Sequence, residues 1–308
     1  MNDTMAETLA TLGRGYLREA PGLLGKAALA ERFLNARLRD HPRRRVVRTR
    51  FGARMAVDTQ DLIQRYIYLF GLWEPHLSHW LRRRLRPGDG FIDVGANIGY
   101  FSLLASHLVG ARGTVVSIEA MPAFHRRVAR HVELNGCTNV RTVNAAVSDA
   151  PRTLTFILAS SRNMGAASIV PYEGPAETTL DIEAHPLPAL LRPEEIAAAR
   201  VMKIDVEGAE GAVVRGLEPL LAQLRPDAEI TIEVTPERMA RLGDSLTELL
   251  DTMRRHGFHT YRLPNSYAAG GYPASLHAAA TFAPVRWRGP VVEESDLVFS
   301  RVDAEQLP

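Results

Sequence analysis

No segment of the 308-residue chain constrains its fold as tightly as Asp93-Val94-Gly95-Ala96-Asn97-Ile98-Gly99-Tyr100, which joins the apolar run Phe91 to Val94 to an apolar stretch over 100–109. A short buried strand, a glycine turn and a helix in that order open a βα unit. Gly95 and Gly99 let the backbone turn tightly and a ligand come close, and Asp93 at a strand end offers a carboxylate to the ammonium of an amino-acid moiety. A dinucleotide site competes for this pattern, but it calls for G-x-G-x-x-G, so that a pyrophosphate can rest on amides at a helix N-terminus. Here the spacing is G-x-x-x-G, Asn97 stands where the second glycine belongs, and Asp93 adds negative charge. A tight turn without any ligand is the plainer alternative.

The same alternation continues along the chain. Thr114 to Glu119, Val140 to Val147, 200–206, 228–234, Phe258 to Leu263 and Asp296 to Arg301 read as strands, and Pro122 to Asn135, 208–224 and 245–256 as helices. Such a sequence builds an α/β fold with a mostly parallel sheet, helices on both faces, and a ligand crevice outside the carboxyl ends of the strands. Residues 61–85 read as a helix before the core. Residues 5–39 read as one or two amphipathic helices broken at Pro21-Gly22, and Arg45 to Asp58 as a hairpin, so 1–60 form an N-terminal accessory cap and 61–308 the main domain. Residues 151–199, which include a strand-like Thr153 to Leu158, and the loop 264–290 interrupt the alternation and are expected to face substrate.

Charge is uneven. Residues 1–54 hold 12 Lys and Arg against 5 Asp and Glu, which leaves 25 against 30 in the remainder. An anionic partner such as a membrane surface, an RNA or an acidic substrate would use that excess, but Arg14, Arg18, Arg32 and Arg39 sit among Leu, Ala and Gly rather than among stacking aromatics, so a solvated helix face is the simpler reading and nucleic acid is disfavoured. Cys137 is the only cysteine, which excludes an intramolecular disulfide and a Cys-rich metal cluster and suits a reducing compartment. With no apolar run of about 18 residues and no signal-peptide pattern, a cytoplasmic protein without a transmembrane segment is expected.

Two further clusters carry chemistry. Glu119 ends the second strand of the core, 24 positions beyond Gly95, where a carboxylate can accept two hydrogen bonds from ribose hydroxyls. Lys203-Ile204-Asp205-Val206-Glu207-Gly208-Ala209-Glu210 places charge at the end of an otherwise buried strand, which is costly unless the charges are paired or used. Strand spacing would put Lys203, Asp205 and Glu207 on one face, with Asp205 able to orient or deprotonate a hydroxyl and Glu210 better suited to the N-terminus of the following helix. Asp205, Glu207 and Glu233 are the candidate oxygen ligands for a Mg²⁺ ion. His131, His185, His256, His259 and His277 form no metal-ligand pattern, Ser102, Ser117 and Ser168 lack a nucleophile elbow, and there is no phosphate-binding loop with Gly-Lys-Ser/Thr.

Taken together, Gly71 to Pro75, the Pro-Gly-Asp at 87–89, DVGANIGYFS at 93–102, Glu119, Asn135, NAAVSD at 144–149, KIDVEGAE at 203–210 and IEV at 232–234 resemble the FkbM family of methyltransferases from about Asp58 to Val234. The resemblance implies a class I methyltransferase, Rossmann-like fold with a seven-stranded sheet and methyl transfer from S-adenosylmethionine, commonly to a hydroxyl of a natural product or sugar. It implies that Asp93, Gly95, Ala96, Asn97, Gly99 and Tyr100 contact the methionine and ribose parts, that Glu119 holds the ribose, that Ala120, Ala146 and Val147 surround the adenine, and that Asp205 faces the transferred methyl, with Lys203 and Glu207 binding substrate, moving a proton or holding Asp205. Family members often carry Pro directly after the acidic residue, whereas Ala120 and Met121 precede Pro122 here, so the adenine-side loop is expected to differ. A small-molecule hydroxyl acceptor is the expected partner and a homo-oligomer stays open. RNA or protein methylation and a non-catalytic cofactor-binding protein are the alternatives.

Overall fold

The computed structural model describes residues 3–158, 167–168, 178–277 and 282–308. Parts of the two expected substrate-facing insertions, 159–166 and 169–177 in the first and 278–281 in the second, lie outside the described residues. Contacts group the chain into two compact units, one holding 3–79 with 265–277 and the other the remaining described residues.

The first unit begins with α1 (Asp3–Glu19), a break with left-handed Gly22 and Gly25, and a helical run made of α2 (Lys26–Ala28), a π-helical segment Leu29–Asn35 and α3 (Ala36–Asp40). Ala10 and Leu17 of α1 are buried with Ala30, Leu34 and Leu38 of the run, and Gly13 permits the close approach, since a Cβ there would stand 3.2 Å from Leu34 Cδ1. The expected hairpin follows as β1 (Arg44–Arg48) and β2 (Arg54–Asp58), antiparallel with Val46 opposite Ala56. Two arginines read from sequence as a solvated helix face are instead structural. Arg14 Nε donates to Tyr68 O at 2.6 Å and Arg18 Nη2 to Arg48 O at 2.9 Å, because carbonyls at helix and hairpin ends need donors that a long guanidinium can supply.

Residues 61–85, expected as one helix, form two. The Asp61 carboxylate accepts from Gln64 N at 2.9 Å and starts α4 (Leu62–Phe70), left-handed Gly71 ends it, and Pro75 begins α5 (Pro75–Arg84). A left-handed residue closes the last turn, and a proline three or four residues on is compatible only with a new first turn.

The second unit carries β3 (Gly90–Val94), α6 (Tyr100–Val109), β4 (Thr114–Glu119), α7 (Pro122–Leu134), β5 (Val140–Asn144), β6 (Ala146–Val147), β7 (Arg152–Leu158), β8 (Ala167–Ser168), β9 (Thr178–His185), α8 (Leu187–Leu190), α9 (Pro193–Ala198), β10 (Ala199–Ile204), α10 (Glu210–Leu221), β11 (Glu229–Val234), α11 (Pro236–Arg241), α12 (Leu246–Arg255), β12 (His259–Leu263), β13 (Val285–Arg286) and β14 (Ser295–Ser300). The main sheet runs β13-β12-β14-β11-β10-β3-β4-β5. The five strands from β11 to β5 are parallel, and β14 lies antiparallel between β11 and β12. Apart from the two-residue β13, this is the seven-stranded class I methyltransferase order. The chain starts in the middle with β3, builds outward through β4 and β5, then returns to β10 on the other side. That reversal makes the β3–β10 boundary the topological switch point, where ligands bind in such sheets.

Alternation sorts the two faces. Ile92, Val94, Val116, Ile118, Met202 and Ile204 pack with Val213, Leu217, Leu220 and Met253 in one apolar cluster under α10 and α12. The residues between them point to the opposite face. The run 140–147 is not one strand, because β5 joins the main sheet whereas β6 joins a separate four-stranded sheet of order β6-β9-β7-β8.

At the amino ends of the strands, buried Glu229 takes two hydrogen bonds of 2.6 Å from Arg84 and one of 3.1 Å from Arg200. Its negative charge is thus matched by cations in a place far too dry for a lone carboxylate.

Candidate active site

A polar row crosses the sheet through the switch point. Thr231, Lys203, Asp93, Ser117 and Thr142 stand opposite one another on β11, β10, β3, β4 and β5, and the next row is wholly apolar, Ile232, Ile204, Val94, Ile118 and Val143. A row of polar groups in a buried sheet persists only if its members satisfy each other or await a ligand. Ser102 on α6 donates to Asp93 Oδ2 at 2.5 Å and lies 2.9 Å from Ser117 Oγ. Lys203 Nζ reaches past the end of β10 to Asp205 Oδ2 at 2.7 Å and stands 5.2 Å from the centre of the Phe101 ring. Asp93 Oδ1 is buried with no hydrogen-bond partner among the described residues. Burial drives the Asp93 pKa upward and the neighbouring Lys203 opposes that shift.

The glycine turn has the conformation its residues require. Gly95, Asn97 and Gly99 all adopt positive φ, of 82°, 53° and 82°. Asn is one of the few other residues that tolerate this region, which accounts for its place in the middle of the turn. Gly95 N and Ala96 N both donate to Ile118 O at 3.0 Å, tying the turn to β4, and Asn97 N donates to Glu119 Oε2 at 2.7 Å. Tyr100 is the first residue of α6 and is buried. Behind the turn, His131 Nδ1 lies 2.8 Å from Ile98 O.

Glu119 is almost wholly buried at the end of β4. Its second oxygen accepts from Met121 N at 2.9 Å, and its pKa is pushed up to about 7 by burial, against the lowering effect of the Met121 and Asn97 amides. Each carboxylate oxygen has a second acceptor site, so hydroxyl donors can still be received. Asn144 Nδ2 donates to Glu119 O and to Ala120 O, both at 2.8 Å, and fixes the bend that carries Ala120. Ala146 and Val147 are buried in β6.

The charged cluster after β10 differs from the strand expected over 200–206. The strand ends at Ile204, and Glu207 turns to a left-handed φ of 57° beside Gly208 at 109°. Lys203, Asp205 and Glu207 therefore do not continue one strand face. Glu207 forms an ion pair with Arg238 on α11, while Glu210 Oε1 accepts from Gly208 N at 2.9 Å at the start of α10, as a first-turn carboxylate does. The Mg²⁺ candidates Asp205, Glu207 and Glu233 do not gather either. Among the described residues no group of three or more His, Cys, Asp or Glu could hold a metal ion, and two of these carboxylates are engaged by Lys203 and Arg238.

Ser102, Asn144, His131 and Arg238 join the site beyond the residues expected from sequence. Ser102 and Asn144 lie within the recognised motifs DVGANIGYFS and NAAVSD, where their polarity was a usable signal. Nothing local marks His131 or Arg238, whose partners are 33 and 31 positions away.

Residues 93–260 match the methyltransferase FkbM domain. Among solved structures, the chain is similar to the methyltransferase FkbM from Methylobacillus flagellatus KT, with 14% identity over 77% of this chain and 52% of that one, about half its length, at a TM-score of 0.41. It is also similar to a SAM-dependent methyltransferase from Aquifex aeolicus, with 15% identity over 74% of this chain and 89% of that one at a TM-score of 0.40. A precorrin-6y C5,15-methyltransferase from Geobacter metallireducens GS-15 shows 12% identity over 74% and 87% at 0.41. No curated protein sequence matches. The strand order is this chain's own, and the matched domain spans more than half of it with both the glycine turn and the Lys203 to Glu210 cluster inside. The chain belongs to the FkbM family of S-adenosylmethionine-dependent methyltransferases.

Proposed function

We propose that this methyltransferase acts on a hydroxyl group of a small molecule, in the cytoplasm, with Asp205 beside the reacting oxygen. The observation that carries the reading is the meeting of Asp93 and Asp205 at the ends of adjacent strands, with Lys203 paired in register to one and hydrogen-bonded to the other. A buried carboxylate oxygen with no hydrogen-bond partner among the described residues, Asp93 Oδ1, suits an ammonium group, and the turn that follows it ties to the Glu119 carboxylate through Asn97 N. These features fit S-adenosylmethionine, which when bound supplies an electrophilic methyl on sulfonium.

In this reading Asp93, Gly95, Ala96, Asn97, Gly99 and Tyr100 hold the methionine and ribose parts, Glu119 receives the ribose hydroxyls, and Ala120, Ala146 and Val147 line the adenine. Lys203 fixes the Asp205 carboxylate, whose other oxygen would orient the acceptor hydroxyl and take its proton. Glu207, held by Arg238, shapes the loop that presents Asp205. Calorimetry with S-adenosylhomocysteine tests the cofactor half. Micromolar binding, about −8 kcal/mol, is expected, and binding of NAD in its place would overturn the assignment. Formation of S-adenosylhomocysteine with a panel of hydroxyl and amine acceptors tests the other half, and turnover restricted to amines would overturn it.

A further inference from the structure

Seven of the eleven exposed large apolar side chains among the described residues lie between positions 9 and 46. Several of them form one surface. Leu9, Leu12 and Tyr16 recur at i, i+3 and i+7 of α1 and share a face, while Ala10 and Leu17 beside them are buried and Arg14 and Arg18 on the far side hold carbonyls. Tyr16 Oη donates to Leu24 O at 2.6 Å, which brings the 88% exposed Leu24 to the end of the stripe. Next to Leu12, Gly13 approaches Leu29 and Leu34, so the helical run that carries Phe33 lies alongside, and Leu12 and Phe33 are each 65% exposed.

The charges around this surface do not balance. Acidic groups of the segment are already engaged: Glu7 lies 3.9 Å from Arg43, Glu19 3.8 Å from Arg18 and Asp40 2.8 Å from Arg39, while Glu31 accepts from Gly270 N at 2.7 Å. Arg32, Arg37 and Arg45 make no ion pair among the described residues. Arg32 and Arg37 stand on either side of the exposed Phe33 along the helical run, so the apolar side chains have unpaired cations beside them, which suits an anionic apolar boundary.

We infer that this face docks peripherally on an anionic phospholipid bilayer, with Leu9, Leu12, Tyr16, Leu24 and Phe33 entering the boundary between headgroups and acyl chains and the arginines meeting lipid phosphates. A second copy of the chain fits less well, because a two-fold contact would bring the same unpaired cations against each other. Nucleic acid fits less well, because the exposed Leu9, Leu12 and Leu24 offer bases no stacking partner. Among the described residues no helix is long and apolar enough to cross a membrane, so the association is with the surface.

The test is flotation of the full chain with vesicles of phosphatidylcholine alone and of phosphatidylcholine mixed with phosphatidylglycerol. Wild type is expected on the mixed vesicles and not on the neutral ones. Leu12→Glu and Phe33→Glu should each weaken that binding about tenfold, and Arg32→Glu with Arg37→Glu should weaken it and remove its salt dependence. Because Leu12, Arg32 and Phe33 are exposed and Arg37 is only half-buried, S-adenosylhomocysteine binding should be unchanged in every variant, which separates loss of the surface from loss of the fold and is independent of the acceptor. Absence of wild-type binding, equal binding to neutral vesicles, or a dimer in light scattering that Leu12→Glu dissociates would each overturn the inference.

Discussion

The main-chain carbonyl of Asp205 fills the space that a side-chain carbon on Gly95 would occupy, and the amide of the same residue, Asp205 N, donates to Val94 O at 3.0 Å. The two loops that leave β3 and β10 therefore cross in direct backbone contact, and the position of Asp205 is set by the absence of a side chain at residue 95. Gly95→Ala adds a methyl to that contact at a φ of 82°. The expected cost is about 1–3 kcal/mol in stability, from overpacking and backbone strain, accompanied by loss of S-adenosylhomocysteine affinity. Urea unfolding measures the first and calorimetry the second; a variant indistinguishable from wild type in both would mean that the crossing is looser than described.

Glu119 should make stability depend on pH in a defined direction. Burial raises its folded-state pKa to about 7 from the ordinary 4.5, so between those values the folded chain binds more protons than the unfolded one. Its contribution is fully present below about pH 4.5 and is lost as the pH rises through 7, with an upper bound of about 3 kcal/mol. Glu119→Gln removes this term, so the variant should lose less stability than wild type between pH 5 and pH 8 (about those values, set by the ordinary and raised pKa). Equal slopes in urea titrations would contradict the assignment. Glu210, also raised to about 7 by burial, keeps part of the slope in the variant.

The same carboxylate links pH to ligand binding. Ribose hydroxyls that donate to Glu119 favour its ionised form, so S-adenosylhomocysteine should release protons near neutral pH and bind more tightly as the pH rises. Calorimetry in buffers of different ionisation enthalpy reads the release directly. Glu119→Ala should abolish it and weaken binding by about 1.5–3 kcal/mol; an unchanged dissociation constant would remove Glu119 from the ribose site.

Asp205→Asn keeps the shape of the side chain and much of the Lys203 contact but cannot take a proton. Single-turnover methyl transfer at saturating cofactor should fall by about 10²–10⁴-fold while cofactor affinity changes little. Since Asp205, Glu207 and Glu233 form no three-ligand group, chelation is expected to leave wild-type turnover intact. Wild-type rates in Asp205→Asn would move the proton acceptor elsewhere.

Away from the site, Arg84→Ala should destabilise the chain by about 3 kcal/mol, because it removes two 2.6 Å bonds to buried Glu229 and leaves Arg200, at 3.1 Å, as its remaining cation. Arg84→Ala with Glu229→Gln should recover much of that loss. If the single variant unfolds like wild type, water reaches Glu229 and the pair is not a buried one.

The sequence by itself determined most of the core elements and the glycine turn. Apolar runs of strand length, the glycines at 95 and 99 and the caps of the helices are local, since a short-range pattern records which face is buried and which backbone angles are needed. That is why α6 and β4 fall at their expected positions, Tyr100–Val109 and Thr114–Glu119. Where a single residue interrupts a pattern, local reading fails, as at Gly71, which splits the helix before the core, and at Ala145, after which the chain passes to another sheet. Only the tertiary structure decided the electrostatics. Lys203 stands opposite Asp93 because two strands more than 100 residues apart in the chain are neighbours, Arg238 reaches Glu207 from a different helix, and the carboxylate of Glu119 is raised by burial that many segments create together. The energy of a charge depends on what surrounds it in space, and that environment is assembled from parts of the chain that no local pattern connects.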